Sequence, residues 1–426
     1  MFMAARRAFP ASRDFSIRRP IMTDQLFQPT TTEELRDIVN EAREQARPLR
    51  IQGGATKFGW GHIPLAGDRV KTRKFDGIDL YEPAELVLTA KSGTSLSDIE
   101  ALLADHNQHL AFEPPDLRGL YETAHSAQTL GGVVACNLSG SRRIQAGAAR
   151  DHVLGFEAVS GRGEVFKSGG RVVKNVTGFD LSKLMAGSFG TLAVMTSLSI
   201  KVLPLPEKTR TLLVLGLDEA QAVRAMTKAL QSPHEVNAAA YLAPAQARHS
   251  AVGYVSGAGQ AITALRIQGP GPSVSARLAE LYHLFGEVGD IEELHAHNSK
   301  TLWQEICNVA PLLPNPATAI WRMSLPPASS PAVAARLRAL EGAEMYLDWG
   351  GGLIWLAVPN MRDASAGTVR ACLTACGGHA TLMRSNDETK TNVPVFQPLP
   401  EAIAALTSSL KSNFDPADIL NPGRMR

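Results

Sequence analysis

Behind Thr32, Glu33 and Glu34, apolar residues recur on one helical face at Leu35, Ile38 and Val39, so the spacing predicts a helix capped by Thr32. Leu49 to Ile51 reads as a short strand entering a glycine-rich stretch, Gly53-Gly54-Ala55-Thr56-Lys57-Phe58-Gly59-Trp60-Gly61. A second strand, Leu86 to Ala90, leads to Ser95, the predicted cap of a helix through Ala104. A second glycine-bearing stretch runs from Ser126 to Gly132. Val153–Val159 and Glu164–Lys167 then flank Ser160-Gly161-Arg162-Gly163, a hairpin turn. Leu192–Val202 is a long strand, ended by Pro204 and Pro206.

The pattern changes after residue 206. Leu212–Leu217, Ala238–Leu242 and Ala261–Ile267 read as strands, with helices over Asp218–Leu230 and Ser273–Phe285. Later come strand Ala319–Leu325, helix Pro331–Leu340, strands Met345–Asp348 and Leu353–Val358, helix Asp363–Cys376 and strand Ala380–Met383. The second set spells β-α-β-β-α-β, the ferredoxin-like order, and the first spells the same unit with a weak last strand. Two such units side by side predict one antiparallel sheet with helices on one face. The expected division is residues 27–206, residues 207–390 as a cap, and residues 391–426 as a tail. That tail, with a helix over Glu401–Leu410, needs a docking partner to be ordered.

Lys and Arg total 43 against 41 Asp and Glu, a balance that argues against a nucleic-acid partner. No apolar run approaches the ~18 residues of a membrane span, so a cytoplasmic protein, peripheral at most, is expected. Cys136, Cys307, Cys372 and Cys376 form no Cys-x-x-Cys, which leaves no zinc or iron–sulfur framework and suggests a reducing compartment. Residues 1–26 are set aside as an extension. Arg6, Arg7, Arg13, Arg18 and Arg19 against Asp14 alone resemble a transit segment, but a start at Met22 is the simpler reading.

A diphosphate must be met by oriented donors, and backbone amides in tight glycine turns supply them. Gly53-Gly54-Ala55-Thr56 and Thr129-Leu130-Gly131-Gly132 both meet that need, and Gly187-Ser188-Phe189-Gly190-Thr191 adds a third turn. A Rossmann domain needs Gly-x-Gly-x-x-Gly after a first strand, and neither Gly161-Arg162-Gly163 nor Gly257-Ala258-Gly259 completes it. The cofactor belongs to another fold.

Ile51-Gln52-Gly53-Gly54-Ala55-Thr56 and the run Thr129 to Gly140 resemble the two FAD-binding loops of the p-cresol methylhydroxylase/vanillyl-alcohol oxidase-type superfamily. The run Gly169 to Thr191, with Val173-Lys174-Asn175-Val176-Thr177-Gly178-Phe179-Asp180, resembles more narrowly the FAD-binding E-subunit family of bacterial glycolate oxidase. So do Trp321-Arg322-Met323-Ser324, Asp348-Trp349-Gly350-Gly351, His379 to Arg384 and the ending Leu420-Asn421-Pro422-Gly423-Arg424. The resemblance implies an α+β fold: a two-part FAD-binding domain with a tandem ferredoxin-like, antiparallel-sheet cap. It implies that Gly53, Gly54, Ala55 and Thr56 bind the pyrophosphate, that Thr129, Gly131, Gly132 and Asn137 form a second wall, and that Gly190, Thr191 and Leu192 pass beside the flavin. Covalent members carry a histidine where this chain has Ala55 or nearby, and His62 lies outside the match, so dissociable FAD is expected. Asp180 reads as the cap of a helix over Leu181–Ala186.

Oxidising a 2-hydroxy acid requires a cation for the carboxylate and an acceptor for the hydroxyl proton. Arginine suits the first task through its planar fork. Arg322, on one strand face with Ile320 and Ser324, and Arg384 are the candidates, each also readable as structural. Arg424 in the tail could balance charge on reduced flavin. His379 is the candidate base, with a structural histidine as its alternative. His295 and His297 read as a surface loop, and no metal site is expected. Members that oxidise 2-hydroxy acids often carry a histidine pair and a glutamate on the cap, a pattern not found here. Three functions stay open: a flavin subunit working with a larger FAD-binding subunit and an iron–sulfur subunit on glycolate, a self-sufficient hydroxy-acid or polyol oxidoreductase, and a structural subunit that merely carries flavin.

Overall fold

The computed structural model describes residues 24–425, apart from Pro64, Ala66 and residues 171–177. Most of the N-terminal extension and the Val173–Thr177 part of the family motif therefore lie outside the described residues. The fold begins slightly before residue 27. Asp24 pairs with Arg50 and Arg69, and strand Leu26–Phe27 runs parallel to Asp68–Lys71, which in turn pairs with Leu49–Gln52.

Helix Thr32–Glu44 buries Leu35, Val39 and Ala42 against this small sheet. Its cap is Thr31, one residue earlier than the sequence pattern suggests. Thr31 has the extended backbone a cap requires and its side chain accepts from the Glu34 amide, whereas Thr32 Oγ1 donates to Glu157. Ser95 does occupy the cap position of helix Leu96–Asp105, but its hydroxyl pairs with Ser97 and not with a helix amide. Asp180 accepts from Lys183 N at the head of helix Leu181–Met185. A five-stranded antiparallel sheet follows the order Ile78–Glu82, Val87–Lys91, Ala193–Lys201, Val153–Ser160, Val165–Gly169.

The cap is one eight-stranded antiparallel sheet made of two four-stranded halves. The first half orders Ile291–His295, Lys208–Leu215, Ile262–Gly269 and Ala238–Leu242; the second orders Glu344–Asp348, Leu353–Pro359, Thr318–Ser324 and His379–Arg384. The halves join where Tyr241 and Leu242 pair with Leu347 and Tyr346. Each half has the chain order β-α-β-β-α-β, and Ile291–His295 is the strand that the sequence left weak. Asp218 and Gln221 cap the first crossover helix reciprocally.

Strand alternation divides the sheet between two cores. Trp321, Met323, Ile354, Leu356 and Leu382 face the crossover helices, while Ile320, Tyr346, Leu353, Trp355 and Met383 join the core of the N-terminal part. A further helix, Ala296–Cys307, lies on that inner face of the first half through Leu302, Trp303 and Ile306, and the Trp303 indole donates to Thr211 Oγ1. His295 ends a strand and His297 begins this helix, so the two do not share a strand face. Among the described residues no group of His, Cys, Asp and Glu is arranged to hold a metal, and no helix is long and apolar enough to cross a membrane.

The two parts are clamped by an ion pair between buried Arg266 and half-buried Glu113. Arg266 Nη1 lies 2.9 Å from Glu113 Oε1, Nη2 donates to Oε2 at 3.0 Å, and Nε donates to Asn237. Its guanidinium also covers the Trp303 ring at 4.9 Å. Removing Arg266 leaves the Arg142 amide as the donor to Glu113, at a cost of about 1–3 kcal/mol. Arg266→Met is therefore expected to lower the thermal midpoint by several degrees, measured by calorimetry on the purified chain; a midpoint within about 1 °C of wild type would remove the clamp from the account.

Candidate functional site

The first two glycine stretches touch. A Cβ on Gly54 would sit 1.7 Å from the Ala127 carbonyl oxygen, and one on Gly53 would sit 2.3 Å from Thr129 Oγ1. Gly54 must be glycine because the Ala127 backbone fills the space a side chain would take, and at Gly53 the Thr129 side chain fills it. Segment Ser126–Gly132 is stitched in turn to the stretch after strand Val87–Lys91. Leu96 N donates to Gln128 O, Leu130 N to Thr94 O and Gly131 N to Ser92 O.

The two walls differ in what they can offer a ligand. The amides of Gly53, Gly54, Ala55, Thr56 and Lys57 have no hydrogen-bond partner among the described residues, and all five residues line a cleft. Leu130 and Gly131 spend their amides on Thr94 and Ser92, and Gly132 N reaches Thr129 Oγ1 at 3.3 Å, capping helix Leu130–Ala135. Thr129, Gly131 and Gly132 thus shape the cleft, with the Gly131 and Gly132 amides already bonded within the protein. Asn137, with φ +50, closes the end of that helix and accepts from Arg150 N; it lines the neighbouring chamber and not the cleft.

The C-terminal tail holds these walls together. Leu420 pairs with Leu49, Leu49 N donates to Ile419 O, and Asn421 N donates to Leu49 O. Asn421 Oδ1 accepts from Ile51 N at 2.8 Å while its Nδ2 donates to Phe189 O at 2.8 Å, bridging the first strand to the turn that contains Gly190. Lys411 Nζ donates to Thr191 O and Leu420 O. Gly190 lines the cleft, Leu192 lines the chamber, and Thr191 Oγ1 is bonded to Ser188 O.

Two buried cations face this cleft, neither with a carboxylate partner among the described residues. Arg424 Nη2 donates to Lys57 O and Phe58 O, and its Nη1 is buried with no partner. Lys57 Nζ reaches only Thr56 Oγ1, and burial lowers its pKa from the ordinary lysine value. A buried charge left unpaired is costly, so this lining fits an anionic group supplied by a ligand. Sequence reasoning missed Lys57, because nothing local distinguishes it from a solvated lysine.

Beyond Cys136 and Phe189 the cleft opens into a larger chamber over the inner face of the second cap half, with Cys307 at the end of helix Ala296–Cys307 among its lining. Arg322 and Ser324 line it from one strand, His379 and Thr381 from the next, and Leu353 and Trp355 from the other side. Burial, then neighbouring Arg143, brings the Arg322 pKa down to about 10. Partial burial, then Arg322 and Arg143, lowers that of His379, which therefore stays neutral at pH 7 and can accept a proton. Asp348 also lines the chamber. Burial raises its pKa to about 6, although Trp349 N and Ser141 Oγ donate to it. Arg384 belongs elsewhere. Its guanidinium donates to Thr318 O, Thr318 Oγ1 and Asn315 O at the head of the adjacent strand, and it lines neither space, so the expectation of a catalytic Arg384 is corrected to an anchoring one.

This fold, with a glycine-walled cleft opening under an antiparallel cap, is that of the p-cresol methylhydroxylase class. The structure is similar to p-cresol methylhydroxylase with substrate bound (TM-score 0.67, 14% identity, covering 94% of this chain and 88% of that one). It is likewise similar to 4-ethylphenol oxidase from Gulosibacter chungangensis (TM-score 0.69, 14% identity, covering 95% and 90%). Residues 23–169 match the FAD binding domain family model. The chain belongs to the family of glycolate oxidase subunit GlcE: it is 34% identical over 396 residues to that protein of Escherichia coli (strain K12), covering 92% of this chain and 97% of the relative. Glycolate oxidase subunit GlcD of Bacillus subtilis (strain 168) is 32% identical over 194 residues, 46% of this chain and 40% of that one.

The loop contact carries a direct test. Gly54→Val is expected to force the first stretch away from Ala127 and to yield a protein with native far-UV dichroism but no flavin absorbance after gentle purification. Wild-type flavin content in the folded variant would show that the cleft tolerates separation of its walls.

Proposed function

We propose that this chain is the FAD-binding subunit of a glycolate oxidase, an oxidoreductase acting on a CH–OH group, in which glycolate becomes glyoxylate and the electrons leave through partner subunits. The observation that carries the reading is the meeting of cleft and chamber: Cys136, Phe189, Asn421 and Arg424 line both. A cofactor in the one therefore borders a substrate in the other.

The free amides of Gly53 to Lys57, with the Lys57 and Arg424 cations, would hold FAD through its pyrophosphate. Ala55 presents only a methyl group there, which supports a dissociable cofactor. Bound FAD supplies the two-electron acceptor. Arg322 pairs with the substrate carboxylate and fixes the α-carbon in the chamber. The neutral imidazole of His379 takes the hydroxyl proton on a ring nitrogen. The C-terminal helix Glu401–Phe414 contributes Ala404 and Thr407 to the chamber lining. The subunit names of the GlcE and GlcD relatives support an assembly, and we assign the partners as a larger FAD-binding subunit and an iron–sulfur subunit, through which the complex would meet the inner membrane.

Anaerobic addition of glycolate to the assembled oxidase should bleach this subunit's flavin band. Arg322→Ala should slow that bleaching by about a hundredfold, the scale of a lost charge-assisted bidentate contact, with flavin content unchanged. Normal bleaching in the variant would remove Arg322 from the site. Equal bleaching of the isolated chain would instead favour a self-sufficient enzyme.

The pH profile offers a second check. Because the His379 pKa is lowered, the proton-accepting form persists below the ordinary imidazole value, and reduction should decline only as pH falls beneath ~6.5. His379→Gln should abolish that acid limb. A limb unchanged in the variant would mean another group takes the proton.

A further inference from the structure

Trp349 is held in an unusual way. A bulky residue, it adopts the left-handed backbone (φ +54), a conformation that costs on the order of 1–2 kcal/mol for a non-glycine residue. Its indole Nε1 donates to Gly140 O at 3.0 Å, and Ser141 Oγ donates to Asp348 Oδ2 at 2.8 Å, so the cap turn is pinned to the segment leading into Arg143. Two guanidiniums rest on this one indole. Arg143 Cζ lies 4.7 Å from the ring centroid and Arg322 Cζ lies 4.9 Å from it. Neither guanidinium makes a salt bridge or hydrogen bond with any described residue, and both line the chamber. The ring face attracts each cation but satisfies none of its N–H donors.

Arg143 beside Arg322 lowers the affinity of the Arg322 guanidinium for its proton, and an anion between the two offsets that repulsion. Resting on the function proposed above, we infer that Arg143 and Arg322 together form the carboxylate receptor, one guanidinium from each side of the interface between cap and N-terminal part. Their planar forks, neither hydrogen-bonded to a described residue and both on the Trp349 ring, can meet one carboxylate from two sides.

The test uses the full-length chain with its flavin, titrated at pH 7.5 or above with acetate, which carries no oxidisable hydroxyl. Binding is read from the perturbation of the flavin spectrum. Arg143→Gln should weaken acetate at least tenfold, or about 1.4 kcal/mol, with flavin content and thermal midpoint unchanged, and Arg143→Lys should recover part of the loss. If Arg143→Gln binds acetate within twofold of wild type while Arg322→Gln does not, the present inference fails and the proposed function stands. If neither variant changes acetate binding, or acetate does not bind the wild type, both fail.

Discussion

The contact between Gly53-Gly54 and Ala127–Thr129 is the constraint on which the site depends. Two segments far apart in sequence approach until no Cβ fits between them. Five amides of the first stretch have no partner among the described residues, while Leu130 and Gly131 of the opposite wall donate to Thr94 and Ser92. The cost of an unsatisfied buried amide is a few kcal/mol at most for each group, but a run of them makes the apo cleft an unfavourable state unless water or a ligand fills it. The tail completes the arrangement. Asn421 satisfies Ile51 N and Phe189 O with its two amide atoms, so the strand entering the cleft and the turn leaving it are fixed by one side chain.

The chamber exists because the two halves of the cap sheet are treated differently. Their topologies match, yet helix Ala296–Cys307 meets the second half only at its end, where the Tyr346 hydroxyl donates to Ile306 O, and lays Leu302 and Trp303 on the inner face of the first. There Trp303 and Thr211 pack, and Arg266 finds Glu113. On the second half the equivalent surface carries Arg322, Ser324, His379 and Thr381 and stays open.

Much of this was legible in the sequence where the signal is local. Alternation along Ala319–Leu325 puts Arg322 with Ser324, and both do line the chamber from one strand face. The repeated β-α-β-β-α-β order needs only the period of its apolar residues. Helix Ala296–Cys307 was hidden because its first turns, Ala296-His297-Asn298-Ser299-Lys300-Thr301, are almost wholly polar, and Leu302, Trp303 and Ile306 declare themselves only near its end. Lys57 and Arg143 were hidden for a different reason. Charged residues beside glycine turns look like solvent-facing ones until segments from elsewhere in the chain close over them. For Lys57 these include Cys136 and Arg424, and for Arg143 it is the indole of Trp349. Equally, Gly131 and Gly54 are alike as letters; only the fold decides which amide is free.

The four unpaired cations tie folding to ligand binding. Lys57 and Arg424 lie in the cleft, Arg143 and Arg322 in the chamber, and burial disfavours the charged form of all four. Each anion that enters relieves a penalty the empty protein carries, so its binding energy counts directly toward the stability of the closed structure. The cleft and chamber share Arg424 as a lining residue, and the electrostatic relief is therefore not independent in the two spaces: a negative charge on one side of Arg424 lowers the field felt on the other. An anionic cofactor in the cleft consequently weakens the pull on a second anion in the chamber. Two guanidiniums on the chamber side offset that loss better than one, which is the electrostatic reason for Arg143 to stand beside Arg322.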